Sequence, residues 1–422
     1  MSALANITLP EGAFEQMFGG ERDPQQAADE YFFFVHHLRA DALAALVARH
    51  DHRVMARERI FRHYRYRSSG MDNDRRAAFA EHLRATLTGG ALTMLLSVGH
   101  RTGLFEALAQ GPATSADLAQ RAGLQERYVR EWLGVMVTGG FLTYQPGTDE
   151  YTLPAEHAGM LIGESAANMM PVASMLRGFT GALPELERCF TEGGGVAPAT
   201  FIPHLHAAGA EQGGTWRRIY DEHLVDGFLG AVPGLPARLA AGVRVLDLGC
   251  GNGHAVNVAA QAFPASQFLG LDIDAELIAN AEAERSELGL ANTAFAVGDA
   301  AELAPQPPFD VITAFDSVHH LRVPLETLRR VRAALAPGGV FVVVDAKFSS
   351  HLENNVGNLF APLYYSISLM YCTTISLAEG GPGLGMMWGT ELTRDMLCSA
   401  GFDHVEILDS PRPQNCIYVC RT

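Results

Sequence analysis

The chain has 422 residues, a formal charge of −16 and 48% hydrophobic residues. Such a length exceeds one ordinary core and implies two or three domains, while the apolar content excludes global disorder. The acidic balance repels phosphate backbones and speaks against a nucleic-acid partner, and no apolar run reaches the roughly 18 residues of a membrane span. The opening MSALANITLP does not read as a signal peptide, and the six cysteines show neither a C-x-x-C pair nor metal-like spacing. The expectation is a reduced, cytoplasmic protein with no metal and no membrane attachment.

Residues 1–70 read as a helical N-terminal extension, with helix over 24–66. Tyr31 to Val35 and Leu43, Leu46 and Val47 supply its apolar faces, and the arginine-rich run Arg49–Arg67 reads as a solvated face or as a docking surface for an acidic substrate or partner. Ser68 to Asp74 is small, polar and turn-forming, which marks a boundary. Residues 71–160 then carry a helix-turn-helix pattern with a wing. Helical periodicity runs through Phe79, Leu83, Leu87, Leu92, Leu95, Leu96 and Val98, and Gly111-Pro112 breaks the chain. Thr114-Ser115-Ala116-Asp117 opens the next helix as a capping box. Tyr128, Val129, Trp132, Leu133 and Val137 fall on one face of the helix after Gly123, and Gly139-Gly140 stops it. FLTY and EYTLP, joined across Gln145–Asp149, form a small β-wing. The would-be recognition helix carries only Arg127 and Arg130 as cations, so a DNA-reading role lacks its phosphate anchor. Residues 161–236 read as a mostly helical connector ending around Trp216, Tyr220, His223 and Phe228.

The strongest signal lies between Gly242 and Ala300. VRVLDLGCGNGHAVNVAAQAF is an apolar strand, a glycine turn and a helix, and QFLGLDID is a second strand ending in an acid. TAFAVGDA, FDVITAF, LETLRRVRAAL and VFVVVDA continue the alternation. Such a series makes a parallel sheet with helices on both faces, whose ligands bind beyond the carboxyl ends of the strands. Gly249, Gly251 and Gly253 allow positive φ and let a ligand lie against bare backbone. Asp272 is placed to accept from two ribose hydroxyls, and Asp299 from an adenine amino group. Asp247 can orient the turn or reach a ligand ammonium through water. The G-x-G-x-G spacing differs from the G-x-G-x-x-G of nicotinamide enzymes, which remain the alternative for a glycine turn with a downstream acid.

The ordered set VLDLGCGNG, LGLDID, GDA, AFDSVHHL and LAPGG resembles the class I S-adenosylmethionine-dependent methyltransferases over about residues 242–422. LTGGALTMLLSVGHRTGLFEALA and SLAEGGPGLGMMWG extend the resemblance to a bacterial winged-helix branch, over roughly 72–422. The resemblance implies an α/β fold: a Rossmann-like seven-stranded sheet, mostly parallel with an antiparallel last strand, preceded by the helical and winged-helix region. It implies a catalytic domain over 237–422 with a substrate-side insertion at 348–389, and a winged domain that forms a homodimer. It also implies a cofactor site of Asp247, Gly249, Cys250, Gly251, Gly253, Asp272, Ile273, Asp299, Ala300 and Phe315. Tyr220 and His223, ahead of the first strand, are expected to close over S-adenosylmethionine, whose product is S-adenosylhomocysteine.

The implied reaction is in-line methyl transfer to a small-molecule or peptide acceptor, with oxygen favoured over nitrogen or carbon. A base is needed only where the nucleophile must lose a proton. His319 and His320 follow the fourth strand and are the base candidates. Asp316 is expected to cap the following turn or orient a histidine. Lys347, the only lysine in the chain, follows Asp345 at the end of the fifth strand and is the candidate for pairing with an acceptor carboxylate or phenolate. Tyr364, Tyr365, Met370 and Tyr371 in the insertion wall an apolar acceptor or belong to the core. A non-catalytic cofactor- or partner-binding protein and a metabolite-sensing regulator are the other classes the pattern allows.

Overall fold

The computed structural model describes residues 72–208, 214–305 and 307–421. The helix expected over 24–66, the arginine-rich run and the extension over 1–70 lie outside them. The chain divides between Ala85 and Thr86 into two compact units, and the second, Thr86–Thr422, holds the sheet and every residue of the candidate site.

Helix α1 spans Asn73–Arg101, followed by α2 (Leu104–Ala109), α3 (Ser115–Ala122) and α4 (Glu126–Thr138). The Thr114 hydroxyl caps α3 by accepting from the Asp117 amide at 3.2 Å. On α4, Val129, Trp132, Leu133 and Met136 are buried at helical spacing, and Trp132 meets Phe105 edge-on at 5.1 Å. Tyr128, expected on that face, is 79% exposed, because it falls one position outside the i, i+3, i+4, i+7 stripe. Strands β1 (Thr143–Gln145) and β2 (Glu150–Thr152) pair antiparallel with Tyr144 opposite Tyr151, completing the wing.

A helical run follows: α5 (Ala155–Leu161), α6 (Met170–Phe179), α7 (Leu183–Glu192), α8 (Pro198–Ala208) and α9 (Gly214–His223). Helix α9 continues into a π-helical turn, Leu224–Leu229, before α10 (Leu235–Ala241). The alternating part is β3 (Arg244–Leu248), α11 (His254–Ala262), β4 (Gln267–Asp272), α12 (Ala275–Glu287), β5 (Thr293–Val297), β6 (Phe309–Phe315), α13 (Pro324–Ala334) and β7 (Leu335–Ala346). The insertion holds α14 (Leu352–Asn355), α15 (Ala361–Ile367), a π-helical turn at Ser368–Cys372, and α16 (Thr373–Ala378). Helix α17 (Gly389–Ser399) and strands β8 (His404–Asp409) and β9 (Asn415–Arg421) end the fold.

The seven-stranded sheet has the order β5-β4-β3-β6-β7-β9-β8. Its first five strands run parallel, and β9 inserts antiparallel to both β7 and β8. Period-two alternation sends the strand residues to two cores. Val245, Val311, Val340, Val342, Val344, Ile417 and Val419 meet α10, α11 and the first π-helical turn. Leu246, Leu248, Ile312, Ala314, Phe341, Val343 and Tyr418 meet α13 and α17. Burial on both faces explains why VFVVV carries no polar residue. Among the described residues no helix is long and apolar enough to cross a membrane.

Candidate active site

Strand β3 delivers Asp247 and then a turn that only glycine tolerates. Gly249, Gly251 and Gly253 have φ of 69°, 55° and 70°, in the left-handed region that costs other residues energy. The turn is built from backbone: the Gly249 and Cys250 amides donate to the Leu271 carbonyl at 2.8 and 3.1 Å. A Cβ on Gly253 would stand 2.5 Å from the Ala281 Cβ, so α11 and α12 approach as closely as they do only over bare backbone.

Asp272, at the end of β4, faces this turn. One carboxylate oxygen accepts from the Gly251 amide at 2.8 Å and the other from the Asp274 amide at 3.0 Å. Ile273 beside it is 65% exposed, an apolar surface at the ligand end of the sheet. Asp247 is buried and accepts from the Thr313 hydroxyl at 2.6 Å. Burial pushes its pKa up to about 7, against the Thr313 bond and with help from the Asp272 charge. Burial likewise raises the Cys250 thiol, which stays protonated. Asp299 caps the turn starting at Ala300 through the Ala301 amide at 2.8 Å, and its other oxygen pairs with Arg322 at 3.2 Å.

Phe315, ending β6, meets Tyr220 edge-on with ring centres 5.5 Å apart. Tyr220 is held above its ordinary pKa by burial and by the charges of Asp247 and Asp316. Tyr220 therefore joins α9 to the Asp247 side of the site. His223 does not: among the described residues its ion pair is with Glu222 at 3.6 Å. A residue unmarked by the sequence pattern does the clamping. His254, directly after the glycine turn, bridges Asp221 at 2.7 Å and Glu284 at 2.8 Å. Arg217 also pairs with Glu284, at 2.6 Å, so α9, α11 and α12 share one charge network. The signal available was a polar residue opening an otherwise apolar helix.

After β6 the chain turns through Asp316, which has φ of 53° although it is not glycine, a strained conformation of the kind that collects at functional sites. Asp316 neither caps the next turn nor orients a histidine. Its carboxylate accepts from the Trp216 indole at 2.8 Å, and burial raises its pKa to about 6. The histidine is oriented from β7 instead. His319 Nδ1 lies 3.1 Å from both oxygens of Asp345, and both side chains are fully buried. Asp345 also accepts from the Trp388 indole at 3.3 Å and from the Ala346 amide at 2.7 Å. His319 Nε2 is buried with no hydrogen-bond partner. Burial alone would lower the pKa of this imidazole, but the charge and hydrogen bond of Asp345, with a further contribution from the neighbouring Cys372 thiol, outweigh it and hold it well above 6.5. His320, its ring 4.4 Å from that of His319, is driven the other way by burial and by the neighbouring charge. Ligating atoms of His319, His320 and Cys372 lie within 4.8 Å of one another, as do those of Asp316, His319 and Asp345.

Lys347 departs from the expectation of an acceptor-facing ammonium. Its Nζ pairs with Asp409 at 2.6 Å and the side chain is 45% exposed. Asp345 is the buried penultimate residue of β7, whereas Lys347 follows the strand's last residue, Ala346, and turns outward to Asp409 at the end of β8. Tyr371 stacks on Phe179 at 4.9 Å and stands 6.1 Å from His320, so it belongs to both the core and the histidine surroundings.

Comparisons with known proteins agree with this geometry. Residues 90–162 match the family described as an Rv2258c-like winged HTH domain, and residues 239–378 match a methyltransferase domain. A trans-aconitate 2-methyltransferase of Methylobacterium nodulans is 38% identical over 105 residues, 25% of this chain and 39% of that protein. The chain thus spans about two fifths of that curated relative's length. Human N-acetylserotonin methyltransferase in complex with S-adenosylmethionine superposes with a TM-score of 0.59 at 19% identity, over 84% of this chain and 99% of that one. An O-methyltransferase family protein of Burkholderia thailandensis gives 0.60 at 16% identity, over 83% and 98%. With the winged domain, the sheet order and the glycine turn opposite Asp272 in one chain, the protein joins a winged HTH domain to a methyltransferase domain and has the fold of the S-adenosylmethionine-dependent methyltransferases.

Proposed function

We propose that the chain is a methyltransferase that uses S-adenosylmethionine to methylate a small-molecule acceptor, at oxygen. The observation that carries the reading is a juxtaposition. A glycine turn faces an acid at the end of β4, and the neighbouring strands hold a buried, carboxylate-backed imidazole whose Nε2 makes no hydrogen bond, with the Cys372 thiol close by. Gly249, Gly251 and Gly253 offer the bare backbone that the cofactor needs, Asp272 the acceptor for its ribose hydroxyls, and Asp299 and Ala300 the surroundings of its adenine. Asp247, Cys250, Ile273, Phe315 and Tyr220 complete that surface. When bound, S-adenosylmethionine supplies an electrophilic methyl on its sulfonium.

The chain's own contribution is positioning and proton handling. His319 presents Nε2, while Asp345 holds Nδ1–H and fixes the ring's tautomer and direction. An acceptor hydroxyl placed against Nε2 would give up its proton there, which would leave its oxygen the stronger nucleophile. His320 and Tyr371 border the same space, and Tyr220 and Trp216 wall it from α9. Lys347 has no part in this account. The related trans-aconitate 2-methyltransferases carry in their name a small organic acid as acceptor, which supports a small-molecule acceptor here. A homodimer through the winged domain belongs to the same proposal, and light scattering that returns a monomer mass would remove it. The functional test is turnover of a hydroxyl-acceptor panel by the wild type and His319→Gln with equal cofactor loading. Activity confined to the wild type supports the reading. Activity equal in both removes His319 from it.

A further inference from the structure

The turn between β8 and β9 carries a cation that the reaction as described does not use. Because β9 runs antiparallel to β7, pairing Asn415 with Ala346 and Cys416 with Asp345, this turn lies at the carboxyl ends of the parallel strands. The Lys347 amide donates to the Gln414 carbonyl at 2.7 Å, and the Asn415 amide to the Arg412 carbonyl at 3.0 Å. Pro411 packs against α9's continuation, since a Cβ on Gly227 would meet the Pro411 ring at 2.8 Å. Arg412 is therefore fixed at the rim that holds Asp316, His319 and Trp216.

Its Nη1 is buried and has no hydrogen-bond partner. The guanidinium has no carboxylate within ion-pair distance among the described residues; Asp409, four positions earlier than Pro413, is taken by Lys347. The charge of Arg412 nevertheless reaches two groups of the acceptor side, lowering Asp316 and Tyr364 against the burial that raises both. Asp316, one oxygen of which accepts from the Trp216 indole at 2.8 Å, feels the charge of Arg412 but makes no ion pair with it. Arg412 is partly buried, a buried guanidinium nitrogen without a partner is costly, and the planar fork matches a carboxylate bidentately. Phe348 and Tyr364, with ring centres 4.8 Å apart, bring aromatic surface to the same side.

We infer that Arg412 anchors a carboxylate of the methyl acceptor, so that the acceptor is a small organic acid gripped at the β8–β9 turn. The inference rests on the methyltransferase reading for the word acceptor, but the anion site is measurable without turnover. Benzoate and crotonate, each against its neutral amide, are titrated into the protein loaded with S-adenosylhomocysteine, using saturation-transfer NMR. The expected result is saturable binding of the acids over the amides. Arg412→Gln should weaken the acids about tenfold or more, Arg412→Lys by less, and Lys347→Met not at all. Unchanged S-adenosylhomocysteine binding in Arg412→Gln shows that the variant is folded. Equal binding of acid and amide, acid binding indifferent to Arg412→Gln, or no binding of either acid overturns the inference. Failure of S-adenosylhomocysteine to bind the wild type would instead overturn the methyltransferase reading. The acid titrations then run on the cofactor-free protein and still decide Arg412.

Discussion

The two halves of the sheet's carboxyl edge are built by different means. At β3 and β4 the site is backbone: glycines at positive φ, two amides on the Leu271 carbonyl, and the Gly251 amide on Asp272. At β6 and β7 it is side chain: a buried imidazole on a buried carboxylate, an indole on each of two aspartates, and a guanidinium with one buried nitrogen left without a partner. Backbone construction suits a ligand common to a whole family, because any sequence that makes the turn makes the site. Side-chain construction suits the acceptor, which differs between relatives.

The comparison breaks most sharply at His319. Replacing it with Gln should lower kcat by about a hundredfold to ten-thousandfold while S-adenosylhomocysteine binding stays intact; a parallel loss of cofactor affinity would erase the division into two halves. At the other half, Gly253→Ala combines left-handed strain of about 1–2 kcal/mol with overpacking against Ala281 of about 1–3 kcal/mol. Denaturant unfolding should report a loss of about 2–5 kcal/mol, and a variant as stable as the wild type would contradict the close approach of α11 and α12.

Asp345→Asn sharpens the acceptor half. Asp345 holds the His319 imidazole above its ordinary pKa, and the base works unprotonated. The acidic limb of kcat/KM should therefore lie above pH 6.5 in the wild type and move to lower pH, by about one unit or more, once the anion is gone. A limb that stays in place would mean that another group titrates. The smallest effect is expected at Lys347→Met, which removes an exposed ion pair with Asp409; kcat/KM and melting temperature should both be unchanged within error.

What the sequence revealed follows the same division. The glycine turn, Asp272 and the strand series are legible because backbone sites need residues close together, at spacings that φ and the strand–helix alternation impose. The sheet's two-sided core was legible in VFVVV for the same reason. Asp345 was visible as a strand end, but its tie to Trp388 joins residues 43 apart, and that of Asp316 to Trp216 joins residues 100 apart. No local pattern records such pairs. Lys347 was conspicuous by type, yet it lies just past the end of β7 and its direction is set by the pairing with Asp409, 62 residues away, which no local pattern records. Arg412 sat among other arginines and proline turns with nothing to distinguish it until its buried, unpartnered Nη1 was seen.

The central claim is that the turn opposite Asp272 holds S-adenosylmethionine. Calorimetric titration with S-adenosylmethionine, S-adenosylhomocysteine and NAD in parallel tests it most directly. The account predicts saturable binding of the two sulfur ligands, none of NAD, and an affinity loss of about tenfold or more for each ribose hydroxyl bond removed in Asp272→Ala. Binding of NAD instead, or no binding by a folded protein, would contradict it.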